Sequence, residues 1–424
     1  MQTIETLRTV SRILMLLAGL CFFYQTVYLV ISVFLPLKKR ENLPAVIPAE
    51  LPRFGILIAA RNEEAVLPYL LQSIREQDYP QELVRVFVVA DNCTDQTAQV
   101  AECAGATVWR RYNREKIGKG YALTFLLDHM QRSGQMEDLD AFLVFDADNL
   151  LCPDYLRQIS RMYTEGFDAF HGYRNTKNFG DSWISSGYAL WFLHDSIHLN
   201  AARMALGTTC AVSGTGFGFT KALLKRCGGW RFFTLTEDVE FDTWCATHGE
   251  RIGFCREAML YDEQPLTLRQ SWRQRIRWVQ GGLQVSIRYA GDLLRGLFAG
   301  GRTSWASFET ATLSLWGYLL GAAAMGMTML TAFFDFGTRG LILAVLAALG
   351  GTAGWMLVLG ALTMISEWKN IRAPWSRKLL AVVTFPLFML TFIPVGVCAL
   401  FCRRGWAPVH HTVAVPIGAM QARE

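Results

Sequence analysis

The sequence predicts an α/β domain with a mostly parallel sheet, flanked by transmembrane helices. Between residues 53 and 265, short apolar segments such as FGILIAA, VRVFVVAD and DAFLVFDAD alternate with segments of helical periodicity. That alternation is typical of a parallel sheet covered on both faces. Hydrophobic residues make up 52% of the chain and charged residues only 18%, so one soluble domain combined with several membrane spans is the simplest explanation.

The first membrane span is predicted within residues 13–36, an apolar stretch long enough to cross a bilayer. Three basic residues follow it directly, namely Lys38, Lys39 and Arg40. Because positively charged residues tend to stay on the cytoplasmic side, this span should deliver the rest of the chain to the cytoplasm. A cleaved signal peptide is the alternative; the length of the apolar run and the lack of a small-residue cleavage site argue against it.

Three further apolar stretches are predicted to be spans, at residues 307–333, 340–364 and 379–401. Three full crossings from the cytoplasm would place Arg403 and Arg404 outside, against the positive-inside tendency. Pro386 and Pro394 interrupt the last stretch, so a bent or re-entrant segment is the alternative. The sequence leaves this choice open.

The chain therefore divides into five predicted parts: a transmembrane helix and linker (1–52), an α/β domain (53–265), amphipathic interface helices (266–301), a C-terminal transmembrane region (302–405) and a tail (406–424). The net charge is a modest +5, and no run of Lys and Arg is interleaved with aromatic residues. Lipid headgroups are therefore a better match than nucleic acid. None of the 10 cysteines forms a C-x-x-C pair, which excludes the usual zinc-ribbon and redox motifs.

Acidic residues follow two of the predicted strands. Asp146 and Asp148 come directly after a strand, one residue apart, and paired carboxylates suit Mg²⁺ or Mn²⁺. A solvated acidic turn is the alternative for that pair. Asp91 ends another strand, where its carboxylate could accept a hydrogen bond from a base or a ribose hydroxyl. Asp91 or Asp95 could also cap the next helix; we expect Asp95 to be the cap and Asp91 the ligand.

A lysine and a second acidic run carry further chemistry. Lys119 lies between two glycines at a predicted helix start, where an ammonium group can reach a phosphate; an ordinary surface lysine is the alternative. Glu237 and Asp238 follow a glycine-rich stretch, and a carboxylate in a water-poor cleft can take a proton from an attacking hydroxyl. Because Glu240 and Asp242 come close behind, these acids could instead form the polar face of a helix.

The run RQRIRW contains Gln274, Arg275, Arg277 and Trp278. Two arginines beside a glutamine can clamp a diphosphate and offset the charge on a leaving group, and an indole offers a flat apolar face to a sugar ring. A basic amphipathic helix on the lipid surface is the alternative interpretation. The two are compatible, because an interfacial helix can hold this run over a site.

Taken in order and with their spacing, these motifs make the region from about Phe54 to Leu283 resemble the family 2 glycosyltransferases. The resemblance is strongest to the membrane-bound, processive branch of cellulose, chitin, hyaluronan and poly-N-acetylglucosamine synthases. It implies a GT-A type nucleotide-sugar-binding domain, a Mg²⁺ or Mn²⁺ cofactor, a nucleotide-sugar donor, expected to be a UDP-sugar, and a growing glycan or lipid-linked acceptor. The turn DNCTD departs from the Asp-Gly-Ser type turn that many relatives have around the base.

The resemblance implies roles for individual residues on the donor side. Glu63, in IAARNEE, should help to hold the nucleotide, Asp91 should contact the base or its ribose, and Lys119 should lie near the phosphates. Asp146 and Asp148 match the D-x-D pair of the family. Asp148 is expected to be the better metal ligand, with Asp146 nearer to the nucleotide.

On the acceptor side, Asp238 matches the general base of the T-E-D motif, and Glu237 lies beside it among the expected substrate-binding residues. Ser213 and Gly214, in SGTGFGF, stand where related enzymes line the acceptor end. The Q-x-x-R-W motif of processive members is matched by Gln274, Arg275, Arg277 and Trp278.

We therefore expect an inverting, metal-dependent transferase that extends a β-linked polysaccharide, with its catalytic domain on the cytoplasmic side of a multi-pass protein of the cell membrane. The span count is small for a self-contained export channel, which leaves room for export partner proteins. Non-processive transfer to a lipid carrier or glycolipid is one alternative, and a non-catalytic membrane scaffold with a degenerate transferase domain is another. His194 and His198 lack an evident third zinc ligand and are expected to be packed or hydrogen-bonded.

Overall fold

The computed structural model describes residues 2–34, 51–402, 411 and 413–421. The basic residues used above to orient the spans lie outside this part of the chain: Lys38, Lys39, Arg40, Arg403 and Arg404. The strands are β1 (Phe54–Ala60), β2 (Val84–Asp91), β3 (Thr107–Arg111), β4 (Ala141–Asp146), β5 (Leu150–Leu151), β6 (Ala169–Thr176), β7 (Phe217–Thr220) and β8 (Ile252–Asp262). The helices are α1 (Gln2–Phe34), α2 (Leu67–Arg75), α3 (Thr97–Cys103), α4 (Lys119–Arg132), α5 (Tyr155–Thr164), α6 (Trp183–His194), α7 (Ala201–Leu206), α8 (Lys221–Arg226), α9 (Glu237–His248), α10 (Leu268–Arg288), α11 (Ala290–Leu297), α12 (Gly301–Thr312), α13 (Leu315–Ser366), α14 (Trp375–Leu390), α15 (Phe392–Phe401) and α16 (Ile417–Gln421).

The eight strands form one sheet in the order β3-β2-β1-β4-β7-β6-β8-β5. The first four run parallel to one another, and β7 is antiparallel to its neighbours β4 and β6. Successive side chains of β1 point to opposite faces: Ile56 packs with Leu67 of α2, whereas Leu57 packs with Leu123 of α4. Both faces are covered, which is why the strands have nearly continuous apolar sequences. The predicted mostly parallel α/β sheet is confirmed.

Three helical segments of the described chain are long and apolar enough to cross a membrane: Ile4–Phe34, Leu315–Ser366 and Trp375–Phe401. The first, in α1, lies antiparallel to the beginning of α13. Near the start of α1, Arg8 pairs with Asp335 at 2.7 Å. Farther along, the hydroxyl groups of Tyr24 and Thr312 lie 3.0 Å apart, where α12 packs on α9 of the sheet domain. The C-terminal end of α1 therefore lies near the sheet domain, and its N-terminal end lies far from it.

The long helix α13 consists of two helices that meet at Gly337. Its 52 residues would extend about 78 Å if straight, against roughly 30 Å for the hydrocarbon core of a bilayer. Gly337 has φ 64° and ψ −153°, a conformation that glycine adopts without strain. A Cβ on Gly340 would lie 2.2 Å from the carbonyl oxygen of Ala332, on the other side of Gly337 in the chain. This close approach shows that the chain reverses at Gly337. The reversal falls between two of the predicted spans, the first of which starts later than predicted, at Leu315.

The last apolar segment, α14 and α15, begins and ends beside the sheet domain. Before it, the buried carboxylate of Glu367 accepts hydrogen bonds from Tyr173 of β6 at 2.5 Å and from Arg256 of β8 at 2.8 Å. After it, Gln280 of α10 donates to the carbonyl oxygen of Cys402. Both ends of the segment therefore lie on the side of the apolar helices that faces the sheet domain. This placement favours a bent segment over a full crossing of the membrane.

Helices α10 and α11 lie between the sheet domain and the apolar segments, in the region predicted to hold amphipathic interface helices. A reciprocal capping box of Thr267 and Gln270 starts α10, which then packs against both α9 and α15. Large apolar side chains nevertheless stay exposed on this region, including Ile287, Leu294 and Phe298. Exposed apolar groups in this position are those expected of helices lying at a lipid interface.

The ends of β2 and β3 are joined by a buried ion pair. Asp91 and Arg111 are register partners in the parallel ladder, and Nη1 of Arg111 lies 2.5 Å from Oδ1 of Asp91 with each side chain only 7% exposed. Arg111 also donates to the carbonyl oxygen of Lys116 at 2.5 Å. The pair therefore fixes the strand end together with the loop that leads to α4.

Replacing Arg111 by alanine should destabilise the sheet domain by about 3–5 kcal/mol, because it leaves a buried carboxylate without its counter-charge. The neighbouring variant Arg110→Ala is the matched control. Arg110 pairs with Glu102 at the surface, where both side chains are more than two-fifths exposed, and its loss should cost less than about 1 kcal/mol. Thermal unfolding in detergent measures the difference; equal melting temperatures for the two variants would contradict the structural role of the buried pair.

Candidate active site

Loops from three distant parts of the chain converge where β1, β2 and β4 end along one edge of the sheet. Lys119, the first residue of α4, pairs with the carboxylate of Asp146 and donates to the carbonyl oxygen of Gly214 at 2.7 Å. Gly214 has φ +77° and lies against α9, so that a Cβ there would lie 3.4 Å from Oδ2 of Asp238. These four residues form what we call the central cluster.

Helix α4 reaches the central cluster because Gly120 has no side chain. A Cβ at Gly120 would lie 2.0 Å from the carbonyl oxygen of Phe232 and 3.3 Å from Cβ of Glu237. Any larger residue would push the start of α4 away from the loop before α9. The glycine that follows Lys119 thus serves close packing, which brings the ammonium group to the strand ends.

Asp146 is the last residue of β4, and Asp148 lies on the tight loop between β4 and β5. The Asp148 carboxylate is buried and accepts a hydrogen bond from the backbone N–H of Glu263 at 2.7 Å. Burial alone would raise the pKa of Asp148, but the positive charges of His411 and Lys177 outweigh it and lower the pKa. No group of three His, Cys, Asp or Glu side chains in the described ranges is arranged to hold a metal. Two carboxylates of this kind suit a hard divalent cation whose remaining ligands are phosphate and water oxygens.

Glu237 and Asp238 are the first two residues of α9, and Asp238 belongs to the central cluster. Burial raises the pKa of Glu237 to about 7, with a further contribution from the charge of Asp238. Burial also raises the pKa of Asp238. The positive charges of Lys119 and Arg277 act in the opposite direction on both acids. Asp238 is partly exposed, whereas Glu237 is buried. A partly exposed carboxylate with raised proton affinity, as in Asp238, is suited to take a proton from a hydroxyl group.

The two arginines of α10 point to opposite sides of the helix. Arg277 donates to the carbonyl oxygen of Leu235 at 3.2 Å, next to the start of α9. Arg275 is fully buried, donates to Oγ1 of Thr391 at 2.7 Å, and holds its guanidinium 4.7 Å from the ring centroid of Phe392. Two steps along an α-helix rotate a side chain by about 200°, so the two arginines do not form the expected clamp. Arg275 instead fastens α10 to α14 and α15.

Trp278 lies within an aromatic cluster, which we call the aromatic wall. Its ring meets those of Tyr188, Trp191 and Phe192 edge to face, at centroid distances of 5.6, 5.8 and 6.1 Å. The three partners lie on one face of α6, which none of the sequence motifs indicated. Trp278 remains partly exposed. Gln274, one turn earlier, is partly buried, and its Oε1 has no hydrogen-bond partner among the described residues.

Two cations that the motifs did not indicate lie beside the D-x-D loop. Nδ1 of His411 lies 3.0 and 3.2 Å from the two carboxylate oxygens of Glu63. Burial alone would lower the pKa of His411, but the carboxylates of Asp148 and Glu63 raise it to about 10. The buried Lys177 donates to the carbonyl oxygen of Val413 at 3.4 Å. Only tertiary folding brings the C-terminal segment and the residue after β6 to this place, so no local pattern reveals them.

Two other residues that the sequence singled out, Asp95 and Ser213, lie outside the central cluster. Asp95 accepts a hydrogen bond from the backbone N–H of Thr97 at 3.1 Å, so Asp95 rather than Asp91 lies at the start of α3. Ser213 turns its hydroxyl to Nε2 of the buried His171 at 3.2 Å, away from solvent. Its carbonyl oxygen accepts a hydrogen bond from Arg174 at 2.8 Å. Ser213 is thus one residue from the central cluster without contributing its side chain to it.

The paired histidines of α6 and the following π-helical turn contact the apolar helices. Nδ1 of His198 lies 2.6 Å from Oγ of Ser32 in α1, and Nδ1 of His194 lies 3.5 Å from Oγ1 of Thr363 in α13. Burial lowers the pKa of His194 to about 3 and that of His198 to about 4. Both are packed, neutral, hydrogen-bonded residues.

Comparison with known proteins matches the sheet domain and its flanking helices. A family model described as glycosyltransferase like family 2 matches residues 52–281, which is more than half of the chain. A β-monoglucosyldiacylglycerol synthase of Nostoc sp. is 29% identical over 289 residues, covering 66% of this chain and 58% of that protein. A poly-β-1,6-N-acetyl-D-glucosamine synthase of Staphylococcus epidermidis is 23% identical over 263 residues, covering 62% of this chain and 59% of that protein. The chain thus spans about three fifths of the length of these relatives.

Among solved structures, the mannosyltransferase PcManGT of Pyrobaculum calidifontis, in complex with GDP-Man and Mn²⁺, superposes with a TM-score of 0.55. It is 20% identical, and the match covers 88% of this chain and 98% of that one. At this level of identity the likeness shows the fold, which is of the GT-A type. The sheet, the matched family model and the similar enzymes lead to one conclusion: the chain belongs to the family 2 glycosyltransferases.

Proposed function

We propose that this chain is an inverting, metal-dependent transferase that moves a sugar from a nucleotide-sugar to an acceptor hydroxyl beside the membrane. The observation that carries the proposal is the central cluster, where Lys119 bridges Asp146 and Gly214 within reach of Asp238. Lys119 and Arg277 provide positive charge for phosphate groups, and Asp238 provides a proton acceptor. The first candidate product is a growing β-linked polysaccharide.

The donor diphosphate would lie between the D-x-D loop and α10. Asp148, with Asp146, would hold Mg²⁺ or Mn²⁺, which supplies charge neutralisation to the leaving diphosphate. Lys119 would contact phosphate oxygens once the donor displaces part of its pairing with Asp146, and Arg277 would offset charge from the opposite side. We assign the arginine contact to Arg277 alone, because Arg275 is buried against Thr391.

The chemical step would be a single in-line displacement. Asp238 accepts the proton of the acceptor hydroxyl, whose oxygen forms a bond to the anomeric carbon while the bond from that carbon to the diphosphate oxygen breaks. One base and no covalent intermediate imply inversion, so an α-linked donor yields a β-linked product; the logic is that of inverting glycosidases, with a sugar or lipid hydroxyl in place of water. Buried acids and apolar walls exclude bulk water from this exchange.

Transfer of a single sugar to a glycolipid or diacylglycerol is the second candidate. It is favoured by the bend at α14 and α15, whose two ends lie on one side. That bend leaves α1 and the two halves of α13 as crossings in the proposed topology, few for a polymer channel. Both candidates place the catalytic domain on the cytoplasmic side of a multi-pass membrane protein, where nucleotide-sugars are made; a polymer product would require an export partner.

A donor and product screen tests the function. Purified full-length protein in detergent is incubated with Mg²⁺ or Mn²⁺ and a panel of UDP- and GDP-sugars, while nucleotide release and product length are measured. We expect release with at least one donor. A ladder or high polymer supports the polysaccharide synthase, and one discrete glycolipid supports the second candidate. A folded protein that releases no nucleotide from any donor would overturn the proposal in both forms.

Metal binding is tested without relying on turnover. Mn²⁺ together with the nucleoside diphosphate should stabilise the protein by about 2.7 kcal/mol when the ligand is at a hundredfold excess over its Kd. Asp148→Ala should abolish this stabilisation, because it removes the ionised carboxylate. Asp128→Ala, an exposed acid of α4, should keep it. An unchanged shift in the melting temperature for Asp148→Ala would show that the ion binds elsewhere.

Asp238→Asn should leave nucleotide-sugar binding nearly intact and lower kcat by about 10²–10⁴, the usual contribution of a general base. An asparagine of the same shape preserves the packing but cannot accept the proton. Isothermal titration and initial rates separate the two effects, with Asp128→Asn as the matched control. Turnover retained at the level of the control would remove Asp238 from the role of base.

Trp278→Ala should reduce transfer to the acceptor by about tenfold, because it removes an apolar ring face from the aromatic wall. Donor hydrolysis should fall much less, since water needs no such surface. Trp375, exposed at the start of α14, provides the matched Trp→Ala control. Equal losses of transfer and hydrolysis would show that Trp278 only supports the fold.

A further inference from the structure

An exposed surface that combines apolar and basic side chains extends from the end of α10 across α11 to the start of α12. We call residues 287–302 the α11 surface. Ile287, Leu294 and Phe298 are 67%, 59% and 83% exposed. On its other side α11 packs against α9 and α12, where Leu293 is buried. One side of α11 therefore belongs to the protein interior, and the apolar side chains that remain exposed are available to another partner.

Arginines lie on the same stretch. Arg288, Arg295 and Arg302 recur every seven residues and are exposed, and Asp292 is the one acidic residue between positions 287 and 302. Asp292 pairs with Arg295 at 2.9 Å. An ion pair this exposed contributes little stability, so its arginine can exchange the carboxylate for another anion. Three arginines and one carboxylate give the α11 surface a formal charge of +2.

A second segment places the α11 surface at the end of the apolar helices. Helix α13 begins beside α10, where the backbone N–H of Leu315 donates to Oγ of Ser286 at 3.2 Å. Because the chain reverses at Gly337, α13 also ends on this side of the molecule. The loop that follows exposes Trp368 by 40% and Trp375 by 68%. Tryptophans beside a span are typical of the level at which lipid headgroups begin, so the α11 surface lies at that level.

Arg288 connects the α11 surface with the helix that carries the proposed base. Its Nη1 lies 2.8 Å from Oε1 of Glu240, whose side chain is fully buried. Oε2 of Glu240 accepts hydrogen bonds from the backbone N–H groups of Phe233 and Thr234, both at 2.8 Å. Glu240 thus fixes the loop that leads to Asp238, and Arg288 supplies its counter-charge. A buried carboxylate that loses its counter-charge is strongly destabilised, so the loop depends on where the last turn of α10 lies.

We propose that the α11 surface binds the headgroups of anionic phospholipids and that this contact supports the rate of transfer. The apolar side chains enter the boundary of the acyl chains, while Arg295 and Arg302 pair with phosphate groups of net negative charge. A zwitterionic headgroup offers the same apolar boundary without the net charge. With the last turn of α10 held at the headgroups, Arg288 stays beside Glu240 as a positioning residue. Lipid binding is independent of the proposed function, whereas the effect on the rate rests on it.

Lipid binding is measured on the full chain without enzymatic turnover. The protein is purified in a mild detergent with equal amounts of phosphatidylglycerol and phosphatidylcholine, and the phospholipid that stays bound is extracted and quantified. We expect phosphatidylglycerol to be enriched about fivefold, the effect of one arginine at an anionic surface. The double variant Arg295→Gln/Arg302→Gln should lose most of this enrichment.

The matched control for lipid binding is Arg85→Gln/Arg110→Gln. Both of these arginines pair with acids at the surface of the sheet domain, and their loss should leave the enrichment unchanged. Equal retention of the two lipids by the wild type, or an equal loss of enrichment in both double variants, would overturn the proposed surface.

The effect on the rate is measured with the donor and acceptor found in the screen. The full chain is reconstituted into vesicles of phosphatidylcholine alone or with about one third phosphatidylglycerol. We expect kcat to be about threefold to tenfold higher in the anionic vesicles, with the donor KM unchanged. High salt should remove this difference because it screens the charges, and so should Arg295→Gln/Arg302→Gln. Equal rates in both vesicles would refute the link to catalysis. No nucleotide release in either would count against the proposed function, and lipid retention would then decide the surface alone.

The positioning role of Arg288 has a test of its own. Arg288→Gln should lower kcat about tenfold in both kinds of vesicle and leave the donor KM unchanged, because Glu240 loses its counter-charge and the loop before Asp238 shifts. Arg288→Lys keeps the charge and should recover most of the rate. A wild-type kcat for Arg288→Gln, or an equal loss in Arg288→Lys, would remove Arg288 from this role.

Discussion

The ammonium group of Lys119 is the contact on which the site depends. It joins the end of β4, through Asp146, to the backbone of Gly214 in the loop before β7. That loop in turn lies against Asp238, so one cation sets the spacing between the D-x-D loop and the start of α9. The approach is possible because Gly120 lets α4 pack on the carbonyl oxygen of Phe232. A small packing detail thus positions groups that are more than a hundred residues apart in the chain.

Helix α10 connects the apolar segments with the chemistry of the cleft. Arg275 is fixed to Thr391 between α14 and α15, while Arg277, two residues later, lies beside the acids of α9. The buried guanidinium also stacks near Phe392, which makes the attachment both polar and apolar. The orientation of Arg277 is therefore set by the way α10 packs on the bent segment.

Much of this arrangement follows from local sequence and some of it does not. The strands were predictable because a sheet covered on both faces requires continuous apolar runs, and acids that follow such runs must lie at the strand ends, as Asp91 and Asp146 do. The side of α10 on which each arginine lies was not predictable from RQRIRW, because it depends on what packs against the helix. Lys177 was missed as a neighbour of the D-x-D loop for the same reason, and the contact of His411 with Glu63 was not predictable from local sequence either.

The reversal at Gly337 has a consequence for where the protein can act. The turn is so tight that Gly340 lies against Ala332, and almost no chain remains at that end of the helix pair. In the proposed topology this hairpin tip is what the two halves of α13 present at the far surface of the bilayer. A helix pair joined by so short a turn offers no folded segment there to bind a ligand, so in the proposed topology donor and acceptor would be recognised by the sheet domain and the helices that adjoin it.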